Sequence, residues 1–341
     1  MVDAPFHSES IQEPASNAPV DWRREPIFIV GIMPRSGTNF LHRLLCQHPD
    51  CGAINTTPVR EDYLLHHIEG LNRFVGRLRW QWGHWGADEA FVHSLADRLG
   101  LGAAAFLKSL SPAKRIVTKT PSVANLRLYT RFFQHSPLLI IVRDGRSVVA
   151  SGMSGFGWRF ETATRAWASA ARAIARFREG RDGGDFRFKV IQYERLSGET
   201  DATLLDVMAF LELDAERYDF EKAGQTPIYG SSFASKEGDG VTWKPKEKTA
   251  DFEPSARWKS WSRFQHRRFN WLAGKEMKAL GYELEPAGES NALWRLVHRG
   301  LDAWYHLQRL PRRLFRSLRE AAKAFVLHLS GREAEKIDLR R

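Results

Sequence analysis

Two apolar runs, Ile27–Val30 and Leu138–Val142, each stop abruptly in polar, glycine-containing residues and then resume at helical spacing. The first continues Pro26-Ile-Phe-Ile-Val-Gly-Ile-Met-Pro-Arg-Ser-Gly-Thr-Asn-Phe-Leu41. The second reads Leu138-Leu-Ile-Ile-Val-Arg-Asp-Gly-Arg-Ser-Val-Val-Ala-Ser151. Each predicts a strand, a turn and a helix start, with free helix N–H groups aimed past the strand end, the geometry that binds phosphate. Further runs at Ile116–Thr118 and Phe188–Ile191, separated by helical stretches, predict an α/β fold with a central parallel sheet wrapped by helices. Arg35 and Arg143 at the two strand ends suggest one nucleotide held at both phosphate ends.

In the first loop, Gly31 and Gly37 allow tight turns and close backbone approach to a ligand. Ser36, Thr38 and Asn39 border the helix start with hydroxyl and amide donors, and Arg35 adds a forked, permanently charged donor set. A P-loop would need Lys-Ser/Thr after its second glycine; here Thr38 follows with no lysine, which argues against a nucleotide kinase. In the second loop, a helix starting near Gly145 puts Ser151 on its second turn, back on the strand-end side, so that Arg143 and Ser151 could converge on a second phosphate. The plainer reading is an Arg143–Asp144 salt-bridged turn with Ser151 as a small helix residue.

These segments resemble the sulfotransferases that use 3′-phosphoadenylyl sulfate, PAPS. Arg35-Ser-Gly-Thr38 is similar to their 5′-phosphosulfate loop, and Arg143 with Ser151 to their 3′-phosphate motif. Val117-Thr-Lys-Thr-Pro121 resembles their Lys-Thr-Pro element and Val190-Ile-Gln-Tyr-Glu-Arg-Leu196 their Tyr-Glu-x-Leu strand. Thr203–Leu213 and Trp271–Tyr282 resemble the helices that follow. The likeness covers roughly residues 26–285 and implies the P-loop-NTPase-like sulfotransferase fold. It also implies PAPS as cofactor, 3′,5′-adenosine bisphosphate as product, and no metal. The reaction implied is an in-line displacement onto a hydroxyl or amine, driven by positioning and charge stabilisation. Lys119 would neutralise charge on the breaking bond, projecting from the edge of a strand that ends before it.

An acceptor hydroxyl needs a base. By resemblance it is Glu61, in Thr57–His67, where related enzymes carry an acidic residue before aromatics. This chain has Leu64-Leu65 there, which keeps Asp62, His66 and His67 in competition. Tyr193 could reach the nucleotide or be a core tyrosine. Ser231, Ser232 and Lys244, in a polar glycine-containing stretch, are candidates for closing over it. The Arg-Lys-Gly-x-x-Gly signature of the cytosolic enzymes is missing.

Arg73, Arg77 and Arg79 alternate with Trp80, Trp82 and Trp85. Aromatic faces with guanidinium groups suit a sugar ring or an anionic acceptor, although a tryptophan-rich helix packed on the sheet explains them too. The acceptor implied is a carbohydrate or glycolipid, ahead of protein tyrosine or a small phenol. Cys46 and Cys51 make neither a disulfide framework nor a zinc site.

Residues 1–25 read as a loose tail, 26–285 as the sulfotransferase domain and 286–341 as a basic helical extension. With no leader-like or membrane-spanning run, a cytoplasmic protein is expected. The chain carries a net charge of +11, of which residues 291–341 hold +7, from twelve Arg/Lys against five Asp/Glu. Leu293, Val297, Leu301 and Trp304 form one apolar stripe. Leu314, Phe315, Leu318, Ala321, Ala322, Phe325, Val326 and Leu329 form another after Pro311. Such helices within 291–329 could lie on an anionic membrane surface, dock on the catalytic domain or form a homodimer interface. Basic charge alone also fits a nucleic-acid- or membrane-binding protein on a degenerate enzyme fold. Nucleic acid is not expected, because such a protein has no reason to keep Arg35, Lys119, Arg143 and Ser151 together.

Overall fold

The structure, a computed structural model, describes residues 20–54, 61–180, 186–226, 231–235, 238–242, 257–286 and 292–309. In chain order the elements run β1 (Ile27–Gly31), α1 (Thr38–Leu45), β2 (Cys51–Ala53), α2 (Leu64–His67), α3 (Glu69–Gly83), α4 (Glu89–Ser109), β3 (Arg115–Thr120) and α5 (Tyr129–Phe132). They continue β4 (Leu138–Val142), α6 (Gly145–Phe156), α7 (Phe160–Arg178), β5 (Phe188–Gln192), α8 (Tyr193–Gly198), α9 (Thr200–Leu211) and α10 (Phe220–Gly224). Last come β6 (Ser231–Ser235), β7 (Gly238–Thr242), α11 (Arg263–Ala279) and α12 (Ala292–Leu307).

Five strands form one parallel sheet in the order β2-β3-β1-β4-β5. The runs of β1 and β4 are apolar without alternation because both faces of these strands are covered. Ile27 and Ile29 point to a face closed by Phe40, Leu41 and Leu44 of α1 and by Leu204, Val207 and Leu211 of α9. Phe28 points the other way, onto Tyr129 and Phe133. β3 is longer than its β-branched run predicts. It continues through Lys119 and Thr120, both buried, so Lys119 lies inside a central strand and does not project from an edge. The short β2 and the antiparallel β6–β7 hairpin were not expected from the sequence.

β1 neighbours β3 on one side and β4 on the other, so the carboxyl ends of three adjacent strands lie side by side. A crevice beyond strand ends is where open α/β sheets place ligands. Two strand spacings, about 10 Å, separate the outer two.

The chain divides into two compact units. One holds both sheets and continues to Ser262, with Leu272–Leu284 added. The other joins Arg263–Trp271 of α11 to Glu285 onward. Within this second unit the buried Arg268 donates to the His298 carbonyl (3.1 Å) and to Asp302 (2.6 Å), and the Trp271 indole donates to the same carboxylate (2.9 Å). Among the described residues no helix is long and apolar enough to cross a membrane.

Candidate active site

The turn after β1 folds back on itself: the Ser36 hydroxyl donates to the Met33 carbonyl at 2.7 Å. Arg35 has φ 77°, a left-handed conformation that costs a side-chain-bearing residue energy and collects at functional sites. Gly37 occupies the N-cap of α1 at φ 98° with no side chain capping the helix. A Cβ at Gly37 would stand 2.2 Å from the Tyr193 ring, so glycine is required there twice over. The N–H groups that open α1 at Thr38 and Asn39 have no partner within the helix, as at any helix start.

The second loop meets the first. Arg143, just past β4, donates from Nη1 to the Arg35 carbonyl at 2.9 Å, and Arg35 Nε donates to Ser151 Oγ at 3.0 Å. Ser151 does fall on the second turn of α6 and is buried. The N-terminus of α6 differs from that of α1. Asp144 caps it through the Arg146 N–H and ion-pairs with the Arg146 guanidinium at 2.6 Å. A carboxylate therefore sits where the sequence suggested a second helix start open to phosphate, leaving Arg143 and Ser151 as the anion-facing candidates. Asp144 pairs with Arg146, so the Arg143–Asp144 salt-bridged turn does not form.

Several groups hold Arg143 in place. The Trp167 indole donates to its carbonyl at 3.2 Å, and its guanidinium lies 4.3 Å over the Tyr193 ring. Tyr193 is 3% exposed and packs beneath both Gly37 and Arg143, forming the floor of the cradle. Glu194 accepts from the Asp144 N–H and the Tyr282 hydroxyl, each at 2.9 Å, which joins the Tyr-Glu segment to the closing helix.

A third arginine was missed in the sequence. Burial first, then the charges of Arg143 and Arg257, push the Arg35 pKa down to about 10. Arg257 opens a short 3-10 turn, Arg257–Ser260, whose Trp258 lies 3.9 Å beneath the Arg146 guanidinium. The only sequence signal was the basic-aromatic run Arg257–Trp261. Ser231 and Ser232 lie in β6, opposite Thr242 and Val241 of β7, and the hairpin packs beside α6. Lys244 lies outside the described residues.

On the other side of β1, Lys119 donates to Glu61 at 2.9 Å. The segment carrying Glu61 is strapped to the end of β3. The Asp62 N–H donates to the Lys119 carbonyl (3.3 Å), the Tyr63 N–H to Thr120 Oγ1 (3.0 Å), and Thr118 Oγ1 to the Asp62 carboxylate (2.7 Å). Asp62 is thus occupied as a fastener, and burial raises its pKa. His66 is tied to Ser122 at 2.9 Å, and its pKa is lowered by burial and then by His67; His67 is exposed. Of the four base candidates, Glu61 is the one whose side chain meets the Lys119 ammonium.

Helix α3 buries only Val75. Trp82 is half-buried against Phe91 of α4, whereas Trp80 is 70% and the following Trp85 74% exposed. Arg79 pairs with Glu89 of α4.

Fold and site together define an α/β protein with a cationic cradle across the ends of three parallel strands. The Sulfotransferase family model matches residues 26–217, more than half of the chain, and the chain belongs to this family, within the PAPS-dependent superfamily. It is 27% identical over 199 residues to a protein-tyrosine sulfotransferase of Drosophila melanogaster (56% of this chain, 39% of the relative). It is 27% identical over 135 residues to protein-tyrosine sulfotransferase 1 of Danio rerio (38% and 36%). The matches therefore span less than two fifths of the length of these curated relatives. A solved sulfotransferase domain from the curacin biosynthetic pathway aligns at TM-score 0.48 and 18% identity, over 76% of this chain and 98% of that one.

The residues present fit such a donor. The cradle around Gly31 and Gly37 leaves no room for a Cβ, and two half-buried to buried guanidiniums, Arg35 and Arg143, lie close enough that the charge of Arg143 lowers the Arg35 pKa. Among the described residues no cluster suits a metal ion.

Proposed function

We propose that this chain transfers a sulfuryl group from PAPS to a hydroxyl, or an amine, of a carbohydrate or glycolipid acceptor. The observation that carries the reading is the Lys119–Glu61 pair, set at the end of the strand beside the cradle. PAPS, when bound, supplies the activated sulfuryl group. Arg35, the opening N–H groups of α1 and the Thr38 hydroxyl bind the phosphosulfate end, in a turn that the Ser36 hydroxyl holds through the Met33 carbonyl; Arg143 and Ser151, with Arg257 beside them, take the 3′-phosphate end. Lys119 holds positive charge in a buried place, where it stabilises developing negative charge more strongly than in water. Glu61 accepts the acceptor's proton, its orientation fixed by the Asp62 strap.

A polymeric or extended acceptor is favoured by α3. Arg73, Arg77 and Trp80 recur at i, i+4 and i+7, which makes one exposed stripe running up to about 16 Å from the start of the helix. Guanidinium and indole faces suit an anionic saccharide. The similarity to protein-tyrosine sulfotransferases supports a second reading, a protein tyrosine, and the basic stripe would then suit an acidic sequence beside it. The test is transfer of labelled sulfate from PAPS to a panel of polysaccharides, glycolipids and tyrosine peptides, alongside calorimetric binding of 3′,5′-adenosine bisphosphate. Failure of a folded protein to bind the bisphosphate would sink the assignment; binding with transfer only to tyrosine would move the acceptor to the second reading.

A further inference from the structure

Helix α12 carries an apolar stripe that the described residues of its own unit do not cover. The face turned to α11 is made of Trp294, His298, Leu301, Asp302 and Tyr305. His298 is buried and stacks on Trp271, and Asp302 is bonded to Arg268 and Trp271. Leu301 therefore leaves the stripe the sequence assigned it to. Leu293, Leu296, Val297, Trp304 and Leu307 fall at i, i+3, i+4, i+11 and i+14 on another face, and they are exposed by 65%, 68%, 37%, 60% and 57%. Exposed Gly300 completes the row.

We propose that this face lies in the surface of an anionic lipid bilayer. The charge of the helix decides the occupant. Beyond the stripe, on the solvent side of the helix, stand Arg299, nearest to it, then His306 and Arg295 farther round, all exposed. Asp302 is the single acid on the helix and is neutralised by Arg268. An antiparallel pair of copies joined through the stripe would bring two arginine-bearing helices of like net charge alongside each other. Lipid phosphates meet the same arginines with opposite charge, while the leucines enter the acyl boundary and Trp304 sits at the headgroup level. The excess is regional as well, since residues 291–341 hold +7 of the chain's +11. A helix with this pattern lies on a membrane and does not cross it.

The test is co-sedimentation of the full chain with phosphatidylcholine vesicles, with and without phosphatidylglycerol, read together with the fluorescence change that wild type shows and Trp304→Phe lacks. Wild type should partition to the vesicles containing phosphatidylglycerol only, and raised salt should weaken it. Leu296→Glu with Leu307→Glu, and separately Arg295→Glu with Arg299→Glu, should each weaken partition on the order of tenfold or more. Unchanged circular dichroism and melting would establish that these surface variants fold. The proposal falls if wild type ignores anionic vesicles. It falls equally if both double variants bind as wild type does, which would put the contact elsewhere in the chain. A concentration-dependent dimer, absent from the leucine variant and without vesicle binding, would make a second copy the occupant and overturn it too.

Discussion

The strand ends that we assign to the donor and the helix that we assign to the acceptor are built on opposite plans. At the strand ends nearly every polar group is fastened to another element: Arg143 to the Arg35 carbonyl, Arg35 to Ser151, Lys119 to Glu61, Asp62 to Thr118. Along α3 one residue is buried, and Arg73, Arg77 and Trp80 stand in solvent. Charges that must stabilise a transition state are worth most when fixed beforehand in a buried place, because nothing then has to reorganise. A surface that grips an extended acceptor gains little from that rigidity. The contrast predicts that damage at the strand ends lowers turnover for every acceptor, whereas damage on α3 is felt only by long ones.

The largest effect should come from Lys119→Met, with a kcat loss on the order of 10^3-fold for any acceptor. Glu61→Gln should follow at about 10^2-fold, with bisphosphate affinity kept. Steady-state rates beside calorimetry separate the two. His66→Gln sharpens the assignment: a loss as large as that of Glu61→Gln would move the base to His66. Activity would then fall as pH drops through a histidine pKa lowered by burial.

Arg143→Ala tests the other half of the cradle. Its guanidinium braces the Arg35 carbonyl and faces the proposed 3′-phosphate, so bisphosphate binding should weaken by roughly 10- to 100-fold, the worth of a charge-assisted hydrogen bond. Retained affinity would detach the second loop from the donor.

A smaller effect reaches the strand ends through their support. His42 on α1 donates from Nε2 to the Val117 carbonyl at 3.1 Å, behind β3, and burial followed by the Lys119 charge pushes its pKa from 6.5 down to about 4. Between these values the unfolded chain binds the proton and the folded chain does not. Stability contributed by neutral His42 is thus complete above pH 6.5 and drains away as pH falls toward 4, by up to about 3 kcal/mol. Denaturant unfolding across this window should show the slope, and His42→Gln should flatten it.

What could be read in advance follows the same division. β1 and β4 were legible because strands buried on both faces need continuous apolar runs, and Gly37 because a tight turn before a helix calls for glycine; that the Tyr193 ring crowds it came only from the structure. Lys119 was misplaced because a lysine and a threonine inside a buried strand contradict the hydrophobic pattern that marks strands; the ion pair with Glu61 resolves the conflict and depends on a residue 58 positions away. Arg257 reaches the cradle by tertiary folding alone. Asp62 looked like a second base because adjacency to Glu61 carries no information about which carboxylate meets Thr118. The uncovered face of α12 needed the packing of His298 and Asp302 to be seen, since the apolar spacing by itself admits either face.

The finest discrimination belongs to α3. Trp80 is exposed and touches His84, four residues on, at 4.8 Å between ring centroids, so removing its indole should leave the fold and the strand ends intact. Trp80→Ala should therefore raise KM for a long anionic polysaccharide severalfold, about what one aromatic or cation–π contact contributes, while leaving kcat and the KM of a short acceptor unchanged. Adding Arg77→Ala should deepen the loss for the long acceptor and lower its sensitivity to salt, because a screened charge is then removed from the contact. An equal rise in KM for short and long acceptors would place the acceptor's reactive end on α3. That would remove the separation between a fixed transfer site and an open gripping surface on which the comparison rests.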